Sequence, residues 1–503
     1  MMETDKKYLC DNSPKSPCSS PMKPIQIQNT TGWTCILLLS GIATIFGSAI
    51  PVGFTIGVVN TPSHIIKQWC NESVISRYGV NLSDQHLDNL WSAIVSIFLI
   101  GGMIGSIFGA WVADKVGRKG SMIVGGAMAL SSAVMFIICK PINSVEIMVL
   151  ARFIAGLSGG LVTAVMPMYL TELAPINLRG ATGTFCPLGL CAGVVIGQIM
   201  GFPFILGRED TWNYLLGFYA ILILLSVMSL PWLPESPKYL YAVRGLRQKA
   251  LRELSRLREL PCEYVCGELE EKEEVSADGW SVCKLLCSRP LRLNLSLVCA
   301  LQAGQQFSGI NAVFYYSVNI FKSAGLSEAN AQYASLGAGA INFFVALLMI
   351  PIVNRFPRRF LAVGSCTMAT ACLVLLSFSI TFMHSFTWMP YLSIVAVLSY
   401  VFWYGVGLGP IPYFIGAELF DLGPRPFAMA LGSVSNWTAN FLVGMTFLQL
   451  QYLIGPYSFL IFATITGLLA VFLKICLPET NVLVLAKEEI RKMSLTAEHI
   501  ERN

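Results

Sequence analysis

Twelve stretches of predominantly apolar residues run along the chain, near 34–59, 91–112, 120–139, 146–169, 181–203 and 213–233, then near 292–319, 332–353, 360–383, 388–415, 427–449 and 456–477. Each has about the 20 residues that a helix needs to cross a hydrocarbon core. A polar gap from 236 to 290, dense in Arg, Lys and Glu, separates the first six from the second six. That charge mix fits amphipathic helices lying outside the membrane. The pattern predicts an all-α membrane protein of 12 transmembrane helices in two six-helix halves. Its parts are a tail over 1–33, a first half over 34–235, a helical linker over 236–290, a second half over 291–478 and a tail over 479–503.

Basic residues fix the orientation. Lys115, Arg118 and Lys119 follow span two, Arg179 follows span four, Arg355, Arg358 and Arg359 follow span eight, and Arg425 follows span ten. The positive-inside rule places these loops, the linker and both termini in the cytoplasm. The first outside loop then carries Asn71-Glu-Ser73 and Asn81-Leu-Ser83, two glycosylation acceptors on the side where glycans are added. Residues 1–32 lack the apolar core of a signal peptide and hold three Ser-Pro pairs, the composition of a solvated tail. The other tail presents Arg491-Lys-Met-Ser494, a basic approach to a phosphorylation candidate.

Composition agrees with the membrane reading: 54% of residues are apolar and 13% charged, against about 25% charged in soluble domains. The net charge of +5 reflects basic loops and gives no reason to expect a nucleic-acid partner. Of 15 cysteines only Cys70 falls clearly in an outside loop, so no disulfide framework is expected. The spacings Cys262-x3-Cys266 and Cys283-x3-Cys287 lack a nearby histidine, and no metal or other cofactor is expected. The four histidines, His64, His86, His384 and His499, all lie away from mid-membrane depth, and no nucleophile and base set emerges. An enzyme is not indicated.

The two halves repeat each other. Asp114-Lys-Val-Gly-Arg118-Lys119 is echoed by Asn354-Arg-Phe-Pro-Arg358-Arg359, Glu172 with Arg179 by Glu418 with Arg425, and Pro234-Glu235-Ser236 by Pro478-Glu479-Thr480. All sit at cytoplasmic helix ends. A duplicated six-helix unit is the plan of transporters that rock around a midplane site, and these clusters are candidates for bridges that close the cytoplasmic side.

One stretch is too polar for lipid. Gln302, Gln305, Gln306 and Asn311 lie inside span seven, at spacings that share one broad helix face. An unpaired amide in hydrocarbon costs about 2–7 kcal/mol. Neutral amides converging on a cavity suit a ligand rich in hydroxyls and free of charge, while single amides also serve as packing glue between helices.

With these motifs in view, the chain resembles the sugar porter family of the major facilitator superfamily, and within it the animal facilitative glucose transporters. The resemblance runs from about Gly53 to Pro478. It is carried by Gly57-Val-Val-Asn-Thr-Pro62, Asp114 to Lys119, Arg152, Pro167-Met-Tyr-Leu-Thr-Glu172, Leu178-Arg-Gly180, Pro234-Glu-Ser-Pro237, Gln305-Gln-Phe-Ser-Gly-Ile-Asn-Ala-Val-Phe-Tyr-Tyr316, Gly409-Pro-Ile-Pro412, Gly423-Pro-Arg-Pro426, Ser435-Asn-Trp437 and Pro478-Glu-Thr480. It implies the major facilitator fold. It also implies that Gln305, Gln306, Asn311 and Asn342 bond sugar hydroxyls, with Gln302 lining the same cavity and Asn436, Trp437 and Tyr413 at its wall. Tyr315 and Tyr316 would form an outer gate, and Gly409, Pro410 and Pro412 would break span ten.

The chain departs from the family pattern in several places. Pro187 replaces a glutamine on span five, Gly405 a glutamate on span ten and Tyr413 a tryptophan, while Ala303-Gly304 stands for a Leu-Ser pair associated with glucose preference. Asn354 and Pro357 replace an acid and a glycine, so a weaker second-half gate is expected. Proton-coupled members carry an acid in span one where this chain has Thr55. The implied activity is uniport of a hexose, D-glucose foremost, across the plasma membrane by alternating access. Alternatives are a fructose or broader polyol facilitator, a proton-sugar symporter, and a sugar sensor that does not transport.

Overall fold

The computed structural model describes residues 32–59, 62–270, 280–323, 325–383, 385–421 and 423–481. The Ser-Pro pairs, His384, His499 and Ser494 lie outside them. Among the described residues the chain is helical, and each apolar stretch forms a span. Spans one to six are Cys35–Gly57, Asp84–Lys115, Arg118–Cys139, Val145–Leu173, Arg179–Gly183 continued by Phe185–Met200, and Trp212–Gly217 continued by Tyr219–Val227. Spans seven to twelve are Arg292–Phe307 with Ile310–Ser323, Glu328–Ile352, Arg358–Thr381, Met389–Val406 with Ile411–Leu419, Arg425–Ile454, and Ser458–Cys476. An outer helix, Ser63–Tyr78, covers the loop between spans one and two.

Local chemistry explains where the spans deviate from straight helix. Pro51 has no N–H to give Gly47, and span one absorbs the gap in a π-helical turn over Ile45–Ala49. Span seven, read from the sequence as one helix, breaks at Gly309, which takes φ +85 in the left-handed region. A Cβ there would also stand 2.7 Å from the Phe462 ring, so two constraints select glycine. Spans two and four touch backbone to backbone: a Cβ on Gly156 would sit 2.0 Å from the Phe98 carbonyl, and one on Gly160 2.0 Å from that of Gly102. Small residues let membrane helices approach this closely, where dispersion replaces the hydrophobic effect as the driving force. The opposite faces stay apolar and outward, as Ile104, Ile107, Leu224 and Leu225 show, which is the surface a lipid bilayer requires.

Buried apolar side chains gather in three clusters. One is built from the first six spans, one from the second six, and a small one, with Leu240, Leu251, Leu254 and Val265, from the linker. Trp437 of span eleven crosses over and is buried in the first-half cluster, which also takes in Leu257 of the linker, as the second-half cluster takes in Leu285. The linker is fastened to the first half: Arg258 donates to the Leu173 carbonyl (2.8 Å) at the end of span four, and Thr34 at the start of span one donates to the Leu257 carbonyl (3.0 Å).

The repeated motifs form matching structures at one end of the bundle. In the first half, Glu235 accepts the backbone N–H of Arg118 (3.0 Å), Lys119 (3.1 Å) and Ser236 (2.8 Å), so a carboxylate caps the positive end of span three. Burial pushes its carboxyl above the usual range, and these N–H groups pull it back down. In the second half Glu479 accepts from Arg358 (2.9 Å), Arg359 (3.3 Å) and Asn481 (2.9 Å) in the same way. Arg118 pairs with Glu172 (3.1 Å) and Asp114 (3.6 Å), as Arg358 does with Glu418 (3.3 Å). Ser236 donates to Glu172 and Thr480 to Glu418, both at 2.5 Å. Arg179 opens the short helix that leads into span five.

Contacts that cross between the halves here, among the described residues, include Arg425 to Glu172 (3.6 Å) and Asn354 Nδ2, which donates to the Asn177 carbonyl (3.0 Å). Thus the loop that lacks an acid still crosses, with a neutral hydrogen bond in place of an ion pair. At this end of the bundle the two halves are therefore in contact.

Removing the crossing ion pair should loosen this end. In Arg425→Ala the buried Glu172 keeps Arg118 but loses its partner from the other half. A cysteine at position 184, in the cytoplasmic part of span five, should then react about tenfold faster with a thiol reagent applied from the cytoplasmic side, a shift of about 1.4 kcal/mol. Unchanged labelling would show that the bridge does not hold the halves together.

Candidate functional site

Span ten breaks between Val406 and Ile411, where Gly407, Gly409, Pro410 and Pro412 interrupt the ladder. In an unbroken helix the Leu408 carbonyl would accept from residue 412, but a proline there has no N–H. Gln305 supplies the missing donor: its Nε2 bonds Leu408 O (2.9 Å) and Gly409 O (2.7 Å). Gln302 Nε2 likewise bonds Pro412 O (2.9 Å). Two span-seven amides thus stitch that helix to the broken one. Both are buried, and neither is among the residues that line the cavity described below.

Asn436 of span eleven joins this network. Its Nδ2 points at Gln305 Oε1 (2.7 Å) and Gln302 Oε1 (2.9 Å), and its Oδ1 accepts from Gln306 Nε2 (2.9 Å). Gln306 Oε1 in turn accepts from Asn311 Nδ2 (2.6 Å). The chain of amides leads from the span-ten break into a cavity between the halves.

That cavity encloses about 960 Å³ of empty space when the open solvent at its mouth is included. Gln306, Asn311, Asn342, Asn436, Trp437 and Tyr413 line it. Asn342 Nδ2 donates to the thiol sulfur of Cys191 (3.2 Å) on span five. Pro187, Leu190, Val194, Ala346, Gly339 and Gly405 also line it, a Cβ on Gly405 standing 2.8 Å from Val345, and Val52 and Ile56 come from span one. No Asp, Glu, Lys, Arg or His is among the lining residues. Neutral donors and acceptors together with apolar surface can hold a hydroxyl-rich, uncharged molecule. They offer no strong acid or base for chemistry.

Some lining residues escaped the sequence reading. Asn440 stands one helical turn from Asn436, a spacing that gave a signal, and its buried Oδ1 has no hydrogen-bond partner among the described residues. Thr163, Thr184, Cys191 and Tyr404 also reach the cavity, from spans where no polar cluster marks them. Tyr315 and Tyr316 lie on the helix Ile310–Ser323, but their side chains fall outside what the structure describes. Asn71 and Asn81 meet at the outer surface, Asn71 Nδ2 to Asn81 Oδ1 at 3.5 Å. Among the described residues no group of His, Cys, Asp or Glu is arranged to hold a metal.

Thr55 faces no carboxylate role. Its hydroxyl donates to the Val52 carbonyl (2.8 Å), and its own carbonyl accepts from Arg152 (2.8 Å), a buried arginine of span four that also lies over the Phe98 ring.

Comparison with known proteins places this arrangement. The family described as "Sugar (and other) transporter" matches residues 41–491. The facilitated glucose transporter member 1 of solute carrier family 2 from Gallus gallus is 38% identical over 453 residues, 89% of this chain and 91% of that protein. Member 5 of the same carrier family from Mus musculus is 37% identical over 459 residues, 90% of this chain and 91% of that protein. Among solved structures, the proton:xylose symporter bound to 6-bromo-6-deoxy-D-glucose gives a TM-score of 0.70 at 23% identity, covering 88% of this chain and 96% of that one. A fucose:proton symporter of the same superfamily gives 0.55 at 14% identity, covering 88% and 99%. The structures speak for the fold and the sequence matches for the family: the chain belongs to the sugar porter family of the major facilitator superfamily.

Proposed function

We propose that the protein is a facilitative hexose uniporter of the plasma membrane, with D-glucose as its principal substrate and both termini in the cytoplasm. The observation that carries the reading is the cavity between the halves, lined by neutral amides and free of charged side chains. The names of the relatives, facilitated glucose transporters, support the substrate class. Gln306, Asn311, Asn342, Asn436 and Asn440 are the groups proposed to meet sugar hydroxyls, with Trp437 and Tyr413 supplying ring surface. Each such bond contributes about 0.5–1.5 kcal/mol net. Several together reach the roughly −4 kcal/mol of a millimolar site, weak enough for release. Tyr315 and Tyr316 are proposed as the outer gate, and the bridges of Glu172, Arg425 and their neighbours as the inner one.

A second reading, a fructose or broader hexose facilitator, is favoured by the wall around Pro187 and Gly405. Neither residue offers a side-chain hydrogen-bonding group to the cavity, and a Cβ on Gly405 would stand 3.4 Å from Asn342 Oδ1. Uptake of labelled D-glucose and D-fructose by transporter-null cells expressing the protein separates the two. Saturable glucose uptake supports the first reading, and fructose uptake without glucose assigns specificity to the altered wall.

The absence of acids from the cavity predicts that uptake is unchanged when external pH is lowered or a protonophore is added. Loss of uptake with the protonophore would overturn uniport. Gln306→Ala should raise KM about five- to thirtyfold, for about 1–2 kcal/mol of lost binding, at normal surface expression. Gln305→Leu should instead lower the melting temperature in detergent, because Leu408 O is left buried without a donor at a cost of about 1–3 kcal/mol. Equal KM effects and no loss of stability would refute this division of labour.

On the outer surface Asn81 is the better glycan acceptor. It is exposed, whereas Asn71 is half-buried on a helix with its amide engaged and its sequon partner Ser73 bonded to the Asn143 carbonyl (2.9 Å). Asn81→Gln should abolish the gel shift produced by an N-glycan-removing amidase. Persistence of the shift would assign the glycan to Asn71.

A further inference from the structure

Between the cavity and the cytoplasmic bridges, spans two, four and eleven meet through three hydroxyls. Ser106 Oγ lies 2.8 Å from Ser433 Oγ, and Ser433 Oγ lies 3.2 Å from Thr163 Oγ1. Thr163 Oγ1 is 3.3 Å from Trp437 Nε1. All four side chains are buried. Ser106 and Thr163 belong to the first half, Ser433 and Trp437 to the second.

Proton counting fixes one end of the chain. An indole N–H only donates, so Thr163 must accept from Trp437. The Thr163 proton is taken by the carbonyls of its own helix, Gly159 O at 2.9 Å and Gly160 O at 3.2 Å. A second lone pair on Thr163 remains, and the Ser433 hydroxyl is placed to fill it. Ser106 Oγ, on the other side of Ser433, also has the Gly102 carbonyl at 2.8 Å and the Gly160 carbonyl at 3.3 Å as acceptors.

The same residues seat the Trp437 ring. It packs edge-on against Phe98 with centroids 5.5 Å apart, and a Cβ on Gly102 would stand 2.5 Å from the indole. This is why Trp437 counts with the core of the opposite half. Trp437 and Thr163 also line the cavity. The hydroxyl chain therefore links a ring at the proposed sugar site to the contact that must part when the cytoplasmic side opens.

We infer that Ser433 is a positioning residue for transport, an uncharged inner latch that holds Trp437 against the cavity while it ties span eleven to spans two and four. The inference rests on the transport reading and adds a residue that touches no substrate. Its hydroxyl is replaceable by another hydroxyl but not by a methyl group of similar size.

The test uses the full chain with a cysteine at position 184 and reads two quantities. Relative to that parent, Ser433→Ala should raise labelling of the cysteine from the cytoplasmic side about fivefold, a loss of about 1 kcal/mol of closure. In the chain without the added cysteine, Ser433→Ala should raise KM for hexose entry about three- to fivefold without lowering the maximal rate, and Ser433→Thr should restore the parent value. Trp437→Phe removes the donor at the other end, so Trp437→Phe combined with Ser433→Ala should be no worse than Trp437→Phe alone. Labelling in Ser433→Ala equal to the parent, or independent effects of the two substitutions, would overturn the latch. The labelling response needs no hexose, so a protein that fails to carry hexose yet shows it would refute the substrate and not the latch.

Discussion

The Leu408 carbonyl, left without a backbone donor because Pro412 has no N–H, is the constraint from which the site follows. A helix broken inside hydrocarbon has to be repaired by a neighbour, and Gln305 and Gln302 repair it from span seven. Once they do, Asn436 has fixed acceptors, Gln306 is oriented by Asn436, and Asn311 by Gln306. The polar wall of the cavity is thus the far end of a network that begins as backbone repair. Flexibility at span ten and preorganisation at the site come from the same bonds.

The end of the bundle that carries the repeated motifs shows how a duplicated sequence builds matching units in the two halves. Each half builds the same unit: an arginine at the start of its third helix, a glutamate from the end of its fourth, and a Pro-Glu-Ser or Pro-Glu-Thr segment that caps the arginine's helix. Within a half these contacts hold the helices as one body. Across halves there are weaker contacts, the Arg425 and Glu172 pair and the neutral Asn354 bond. That difference in strength suits rigid bodies that part along their interface. The hydroxyl chain through Ser433 lies on the same seam, closer to the cavity.

Much of this was legible in the sequence because the membrane imposes strict patterns. Span positions, the six-plus-six division and the break at Gly409 to Pro412 follow from apolar length and proline chemistry. Periodicity says less about which polar atoms face a cavity. Gln305 and Gln306 are adjacent in sequence, and only the structure shows that Gln305 Nε2 bonds the Leu408 and Gly409 carbonyls while Gln306 lines the cavity. The break at Gly309 was hidden because a Ser-Gly pair inside an otherwise helical run carries no proline, and its need for positive φ appears only with Phe462 packed beside it. Asn440 was within reach of a helical-spacing argument from Asn436. Ser433 was not, since a serine among apolar residues takes its meaning from Ser106 and Thr163, hundreds of positions away.

Counterflow in liposomes holding the purified protein tests the central claim, passive carriage of hexose through one alternating cavity, most directly. Vesicles preloaded with unlabelled D-glucose and diluted into a trace of labelled D-glucose, with no ion gradient, should accumulate label transiently above its outside concentration. The reason is that label entering meets little competition outside, whereas its exit competes with the excess of unlabelled sugar inside. Absence of this overshoot in vesicles whose protein is folded and correctly inserted would contradict the account.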